Sequence, residues 1–224
     1  MKALLLVAGR GVRVKPISDS MPKCLLPLNG KPLLWYSIQN LLRVGVNDFC
    51  FVIGYRAPQI RHFIHVYYTN IRTTYILNDK YKNTQCGYSY YKAIPFFLHH
   101  DFFQLEGDLL YTKSILHKLL RANKPIVYAV QRKKKFKSGE YTVSINPAAR
   151  TIIKMGYGIK GKFLAEAKGI GFVKAEASEQ IAKAARGLMR KQPNAYSDLV
   201  YQWITDHGGA TYYLSLRGED YWYE

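Results

Sequence analysis

Residues 4–34 read LLLVAGRGVRVKPISDSMPKCLLPLNGKPLL, and the first part of this stretch decides the fold. Its apolar residues predict a buried strand over Lys2–Ala8, which runs directly into Gly9-Arg10-Gly11. Glycines at such a point let backbone N–H groups approach phosphate oxygens without a Cβ in the way. Arg13 could offer a bidentate fork to a triphosphate, and Lys23 a compact positive charge. The pattern therefore favours a phosphate-binding loop.

The rest of the chain alternates short apolar segments with helical periodicity, which is typical of a mostly parallel sheet covered by helices. Predicted strands span residues 49–53, 73–77, 102–105 and 126–130, and predicted helices span about 33–45, 58–67 and 112–121. The third helix is predicted to be capped by Thr112. Residues from about 131 to 175 are predicted to be rich in β-strands. They are followed by predicted helices over 178–190 and 197–207 and by a predicted strand over 211–216. We expect one α/β domain over residues 1–224.

Composition limits the classes of protein that the chain can be. Its 224 residues are 48% hydrophobic and 21% charged, so it can bury a core and is not a disordered chain. Cys24, Cys50 and Cys86 form no CxxC pair, so neither a zinc site nor a disulfide framework is indicated, and a reducing cytoplasm is expected. No apolar run is long enough for a transmembrane segment.

The charge balance is unusual, with 33 Lys and Arg against 15 Asp and Glu, a formal net charge of +18. Such an excess favours polyanionic partners and also raises the local concentration of phosphate-bearing substrates. The positive charge is concentrated in residues 132–135, with Lys137 close behind. A run of this kind is more often a solvated loop surface than a binding site. A nucleic-acid or membrane-surface module therefore remains the alternative of another class.

The phosphate loop becomes specific through the residues that surround it. The glycines and Arg13 are followed by Pro16, Pro22-Lys23, Leu26-Pro27 and residues 30–33, GKPL. This arrangement resembles the signature of the nucleotidyltransferases that make nucleotide-activated sugars and alcohols, close to LAAGxGxRLxPxTxxxPKxLxPVxGKPLI. The resemblance implies a Rossmann-like three-layer domain with a mixed, mostly parallel sheet and a small β-rich acceptor-binding insertion.

Later landmarks agree with this family in order and spacing. Residues 52–55, VIGY, are similar to its second-strand V-x-GY, and Gly107-Asp108 with Tyr111 is similar to its GD-x-x-[FY]. Residues 78–89, NDKYKNTQCGYS, resemble the base-recognition segment of the choline-phosphate and inositol-phosphate cytidylyltransferases. The resemblance thus favours a cytidylyltransferase that uses CTP, with a sugar-1-phosphate uridylyl- or guanylyltransferase as the alternative.

The resemblance also implies roles for particular residues in nucleotide binding. Ala8, Gly9 and Gly11 would bind the phosphates, Arg13 the pyrophosphate end, and Lys23 would stabilise charge at the α-phosphate. Asp108 would hold Mg²⁺ through oxygen, as that hard ion prefers. For the base, the expected residues are Asn83, Gln85, Gly87 and Ser89.

The small phosphorylated acceptor is expected on the other side of the site. Tyr141, Tyr157, Trp222 and Asp198 lie where the resemblance places it, and they suit a cationic amine. Inositol phosphate or a sugar phosphate remains open because the basic excess favours anionic acceptors. A homo-oligomer or a fused C-terminal domain also remains open.

The end of the chain departs from the family pattern. Residues 218–224, GEDYWYE, resemble a closing strand that usually continues as W-x-E-I-D. The final Asp, usually the second metal carboxylate, would fall just after Glu224. We therefore expect a truncated chain, a substitution by Asp220 or Glu224, or weaker metal binding.

Overall fold

The computed structural model describes residues 1–12, 16–133, 135–136 and 140–223. Its strands are β1 (Lys2–Val7), β2 (Pro27–Leu28), β3 (Lys31–Pro32), β4 (Asp48–Ile53), β5 (Arg72–Leu77), β6 (Phe102–Glu106), β7 (Leu110–Tyr111), β8 (Ile126–Arg132), β9 (Tyr141–Asn146), β10 (Thr151–Tyr157), β11 (Leu164–Val173), β12 (Tyr212–Ser215) and β13 (Trp222–Tyr223). Its α-helices are α1 (Leu33–Leu42), α2 (Ala57–Tyr67), α3 (Cys86–Lys92), α4 (Ile94–Phe97), α5 (Lys113–Arg121), α6 (Ser178–Lys191) and α7 (Leu199–Asp206).

Nine of these strands form one sheet in the order β5-β4-β1-β6-β11-β8-β12-β10-β9. The first four run parallel, with β1 between β4 and β6. β11 is antiparallel to β6 and β8, and β10 is antiparallel to β12 and β9, so these two strands run against the others. The sheet is therefore mixed, as predicted, and seven of its nine strands run in one direction. The strands of the β-rich region, β9 to β11, belong to this same sheet.

Helices cover both faces of the sheet because its central strands are apolar on both sides. In β1, Ala3, Leu5 and Val7 face one core, which α1, α2 and α5 complete. Leu4 and Leu6 face the other core, to which α3, α4, α6 and α7 contribute. A strand buried on both faces reads as a continuous apolar run, which is why β1 could be predicted from its sequence. The three-layer α/β fold is thus confirmed.

Two local predictions need correction. Helices α3 and α4 were not predicted, because residues 86–97 are rich in aromatic residues and contain Pro95, which favour a helix weakly. The fully buried Tyr90 and Phe97 stabilise them through packing. Thr112 occupies the N-cap position of α5, but its side chain makes no capping bond and contacts the Ser114 hydroxyl at 2.9 Å.

Across the ranges that the structure describes, no helix has both the length and the apolar character needed to cross a bilayer.

Candidate active site

The phosphate loop begins where β1 ends, at the carboxyl edge of the parallel strands. Ala8 is buried, whereas Gly9 is exposed with no atom within 4 Å of the position that a Cβ would take. Gly11 has a positive φ of 61°, which side chains rarely adopt, so glycine is required there by the backbone. The predicted pyrophosphate ligand, Arg13, lies outside the described residues.

Lys23 and Asp108 meet directly, although 85 positions separate them in the sequence. The Lys23 ammonium lies 2.7 Å from Asp108 Oδ2, and the two side chains are 19% and 21% exposed, so both remain accessible to a ligand. Lys23 belongs to a single 3-10 turn, Lys23–Leu25, that follows the extended Pro22. The residues predicted to stabilise the reacting phosphate and to bind the metal therefore form one ion pair.

The close packing of Gly107 fixes the position of Asp108. The Gly107 N–H donates to the Leu6 carbonyl at 3.2 Å, which extends the β1–β6 pairing beyond Glu106. A Cβ on Gly107 would overlap Cγ1 of Val7. Asp108 therefore directly follows a residue that packs against Val7, the last residue of β1.

The residues predicted to recognise the base fall into two groups. Asn83 and Gln85 are exposed in the segment that leads into α3. Ser89 is buried and accepts a hydrogen bond from Asn78 Nδ2 at 2.9 Å. Gly87 is packed so closely on Ala195 that a Cβ would overlap the Ala195 carbonyl. All four base-recognition roles stay predictions, and Ser89 and Gly87 also hold the segment in place.

Three tyrosines from distant parts of the chain form an aromatic cluster, which includes two of the residues predicted for the acceptor. The ring centroids of Tyr141 and Tyr157 are 5.1 Å apart, and those of Tyr157 and Tyr196 are 5.7 Å apart. Among the described residues, the buried Tyr141 hydroxyl has no hydrogen-bond partner. Sequence reasoning found Tyr141 and Tyr157 but missed Tyr196, for which the signal was its place two residues before Asp198.

Trp222, expected with these tyrosines, lies elsewhere. Its Nε1 donates to the Lys168 carbonyl at 2.8 Å, and the Lys168 ammonium lies 3.8 Å from the centroid of its ring. The ring is therefore already in contact with a cation of its own chain.

Asp198 supplies a buried negative charge next to the aromatic cluster. It is 5% exposed and accepts a hydrogen bond from the Tyr128 hydroxyl. Burial raises the pKa of Tyr141, and the charge of Asp198 raises it further, which indicates that the two groups lie close together. Burial likewise raises the pKa of Cys86, with Glu106 and Asp198 adding to the effect. The charges of Glu106 and Asp198 therefore both act on the thiol at the start of α3.

The predicted basic cluster is not uniformly a solvated surface. Lys133 lies 2.8 Å from Glu140 Oε1 and 2.6 Å from Glu166 Oε2, and Glu166 also binds the buried Lys168 at 2.7 Å. Lys135 is exposed. Lys134 and Lys137 lie outside the described residues.

Asp220, considered as a substitute metal ligand, has both carboxylate oxygens engaged. Lys118 Nζ lies 2.8 and 2.9 Å from them, and the Ser114 hydroxyl and the Arg217 N–H also donate. Asp220 thus anchors the segment that leads into β13. Glu224 lies outside the described residues.

Asp108 is the carboxylate at this site that suits a metal ion. Within residues 1–12, 16–133, 135–136 and 140–223, no group of three His, Cys, Asp or Glu side chains is arranged to hold a metal. One accessible carboxylate nevertheless fits Mg²⁺, which commonly binds one or two protein carboxylates together with water and substrate phosphates.

Comparison with known proteins agrees with this geometry. The nucleotidyl transferase family matches residues 2–143, which include the phosphate loop, Lys23 and Asp108. The chain belongs to this family.

Among the relatives, choline-phosphate cytidylyltransferase of Streptococcus pneumoniae is 36% identical over 91 residues, 41% of this chain and 38% of that protein. CMP-5'-(3-aminopropyl)phosphonate synthase of Streptomyces rubellomurinus is 30% identical over 132 residues, 59% of this chain and 21% of that protein. The matched segments thus span well under half of either relative's length.

The fold resembles the solved structure of CTP:phosphocholine cytidylyltransferase from Streptococcus pneumoniae, with a TM-score of 0.80 at 22% identity. The superposition includes 100% of this chain and 92% of that protein's chain. The inositol-1-phosphate CTP transferase from T. maritima gives a TM-score of 0.79 at 20% identity, over 99% of this chain and 87% of its own. At these identities the likeness concerns the fold.

Proposed function

We propose that this protein transfers a cytidylyl group from CTP to a small phosphorylated alcohol that carries a cationic amine, and releases pyrophosphate. The observation that carries the transfer reaction is the accessible Lys23–Asp108 pair beside the phosphate loop. The preference for CTP rests on residues 78–89, and the similarity to choline-phosphate cytidylyltransferase of Streptococcus pneumoniae supports it.

The reaction needs little acid–base chemistry from the protein. A phosphomonoester has a second pKa near 6, so the acceptor is largely a dianion at neutral pH. One of its oxygens forms a bond to the α-phosphorus while the bond from that phosphorus to the bridging oxygen of pyrophosphate breaks. The protein must therefore hold the reactants in line and stabilise the negative charge.

Lys23 is suited to this task because its present partner is replaceable. When the triphosphate binds, the ammonium would exchange Asp108 for an oxygen of the α-phosphate, where charge develops. Asp108 would then hold Mg²⁺, which supplies further neutralisation of the phosphates. Gly9 would let the backbone approach the phosphates, since it has open space where a Cβ would lie.

The acceptor proposal rests on the aromatic cluster and Asp198. A trimethylammonium group is attracted to the faces of tyrosine rings and to a nearby carboxylate. The three rings contact one another, so the 53% exposed Tyr157 would turn outward to admit the cation. The unpaired Tyr141 hydroxyl offers a donor for the acceptor phosphate or its ester oxygen.

The experiment measures pyrophosphate release with CTP, UTP, GTP, ATP and dTTP, each paired with phosphocholine, inositol phosphate or glucose 1-phosphate. We expect CTP with phosphocholine to be fastest, and EDTA to abolish turnover until Mg²⁺ is restored. Faster release with UTP or GTP and the sugar phosphate would assign the chain to the sugar branch. No release with any pair would contradict the proposed reaction.

A second measurement tests whether the positive charge of the acceptor contributes to its binding. The compound 3,3-dimethylbutyl phosphate has the shape of phosphocholine and the same phosphate group, but it lacks the positive charge. We expect its KM to be roughly tenfold higher, in line with a cation–π contribution of about 1–2 kcal/mol. Tyr157→Leu should remove most of this difference. The control is Tyr221→Leu, which removes an equally exposed ring (60% against 53%) that makes no contact with the cluster rings in the described structure. Equal KM values for the two compounds in the wild type would reject the cationic acceptor.

A further inference from the structure

A short turn after β4 contacts both ends of the phosphate loop. At the incoming end, the Tyr55 N–H donates to the Ala8 carbonyl at 3.0 Å. Gly54 permits this approach, since a Cβ there would lie 2.9 Å from the Ala8 carbonyl oxygen. The first residue of the loop is thus bound to the turn through the backbone.

The same turn holds the outgoing end of the loop through side chains. The Tyr55 hydroxyl lies 3.0 and 3.1 Å from the carbonyl oxygens of Ser18 and Asp19. Arg56 Nη2 donates to the Asp19 carbonyl at 2.6 Å, and Gln59 Nε2 donates to the Ser20 carbonyl at 3.1 Å. We call Tyr55, Arg56 and Gln59 the loop anchor.

The two ends of the loop are also tied to each other. The Ser18 hydroxyl donates to the Gly11 carbonyl at 2.8 Å, close to where the Tyr55 hydroxyl binds the carbonyl of Ser18. The described ends of the loop, at Gly11 and Ser18, are therefore joined by a direct hydrogen bond.

Arg56 adopts a backbone conformation that its residue type disfavours. Its φ of 47° and ψ of 39° are left-handed, a state that costs a non-glycine residue about 1 kcal/mol or more and that is concentrated at functional sites. This conformation lets α2 begin at Ala57 while the guanidinium donates to the Asp19 carbonyl. Its Nε also donates to the Tyr55 hydroxyl at 3.0 Å, so that the phenolic hydrogen is available to the loop.

From these contacts we infer that the loop anchor is a positioning device that holds the two described ends of the phosphate loop, at Ala8 and at residues 18–20, in place before the triphosphate binds. Ordering one backbone residue costs roughly 1–2 kcal/mol, so a loop that is held in advance binds its ligand more tightly than one that must be ordered on binding. Tyr55, Arg56 and Gln59 act through the loop backbone. They set triphosphate affinity and leave the acceptor site unaffected. The inference rests on the proposed function for its kinetic readout.

The variants that test it are Tyr55→Phe and Arg56→Gly. Glycine accepts the left-handed conformation without strain, so Arg56→Gly removes the guanidinium while preserving the turn. The matched control is Arg150→Gly, which makes the same substitution at another exposed arginine with a positive φ, 56°, in the turn between β9 and β10.

We expect each anchor variant to raise KM for CTP about tenfold, as the loss of one or two hydrogen bonds would, with kcat and the acceptor KM changed less than threefold. Trypsin should cleave after Arg10 several times faster in the anchor variants than in the wild type, with mass spectrometry identifying the fragments. The Arg150 variant should match the wild type in both measurements.

Wild-type values of KM for CTP and of loop cleavage in both anchor variants would overturn the inference. A fall in kcat with an unchanged KM for CTP would also overturn it, since that pattern places the anchor at the chemical step. A wild type that turns over no triphosphate would contradict the proposed function instead, and the cleavage rates would still decide whether the anchor orders the loop.

Discussion

We call residues 1–111 the nucleotide half and residues 126–206 the acceptor half, after the roles proposed for them, and the two halves are built in different ways. In the nucleotide half, parallel strands end at one edge of the sheet, and the phosphate loop follows β1 without a break. In the acceptor half, β9, β10 and the segment before α7 each contribute one tyrosine to the aromatic cluster. Under the proposed function, triphosphate recognition would therefore depend on a local motif, whereas acceptor recognition would depend on long-range packing.

The same difference appears in the relationship to other proteins. The family match ends at residue 143, and the match to the Streptococcus pneumoniae relative spans 91 residues. A triphosphate presents the same phosphates to every member of the family, while acceptors differ in charge and shape. The two halves touch where the Gly87 N–H donates to the Ala195 carbonyl at 3.1 Å, next to Tyr196.

The largest expected effect is at Lys23 in the nucleotide half. Lys23→Ala should lower kcat roughly 10²–10³-fold, because it removes a positive charge where negative charge develops in the transition state. The loss should be the same with every acceptor, as measured by steady-state pyrophosphate release. Lys113→Ala, which removes an exposed lysine at the start of α5, is the control. Equal kcat values in the two variants would contradict a role for Lys23 in stabilising the transition state.

β1, the glycines, Lys23 and Asp108 could be located in the sequence from a dense motif and from apolar runs, because these signals are local. Helices α3 and α4 of the same half could not. What could not be predicted depends on contacts between distant residues. Tyr196 joins the aromatic cluster through packing across the sheet, and Lys133 is paired with Glu166 from another strand.

A second prediction separates two glycines of the nucleotide half that look alike in the sequence. Gly107→Ala should destabilise the fold by about 1–3 kcal/mol or more, because its Cβ would overlap Val7 in the core. Gly9→Ala should leave stability unchanged, since its Cβ meets open space, yet raise KM for CTP about tenfold or more if a phosphate hydrogen bond is lost. Urea denaturation and steady-state kinetics distinguish the two. Similar stability losses in both variants would show that Gly9 also serves packing.

A third prediction concerns Asp220. Its hydrogen bond with Lys118 connects the segment before β13 to α5. Trp222 of β13 in turn contacts Lys168 of the acceptor half. Burial alone would raise the pKa of Asp220, but hydrogen bonds from Lys118, the Arg217 N–H and Ser114 outweigh it and hold the pKa below its ordinary value. The resulting stabilisation is complete above the unfolded pKa of about 4 and is lost as the pH falls through the folded pKa.

Asp220→Asn should therefore lower Tm at pH 7, and the difference from wild type should shrink as the pH falls below about 4. Asp79→Asn is the control, because Asp79 forms an exposed ion pair with Lys92 and such pairs contribute little. A Tm difference that stays constant from pH 7 to pH 3 would show that the Asp220 charge does not contribute.

The smallest effects are expected in the basic cluster of the acceptor half, where neighbouring lysines have different surroundings. Lys133→Ser should destabilise the protein by roughly 1 kcal/mol, between the values for exposed and buried ion pairs, because it leaves Glu140 and Glu166 with less compensating charge. Lys135→Ser should change stability by less than about 0.5 kcal/mol, as is usual for an exposed side chain. Neither residue contacts the phosphate loop in the described structure, so KM for CTP should be unchanged in both. Thermal denaturation and duplex binding at physiological salt complete the test, and tight duplex binding that is lost in the Lys135 variant would favour a nucleic-acid-binding role for this surface.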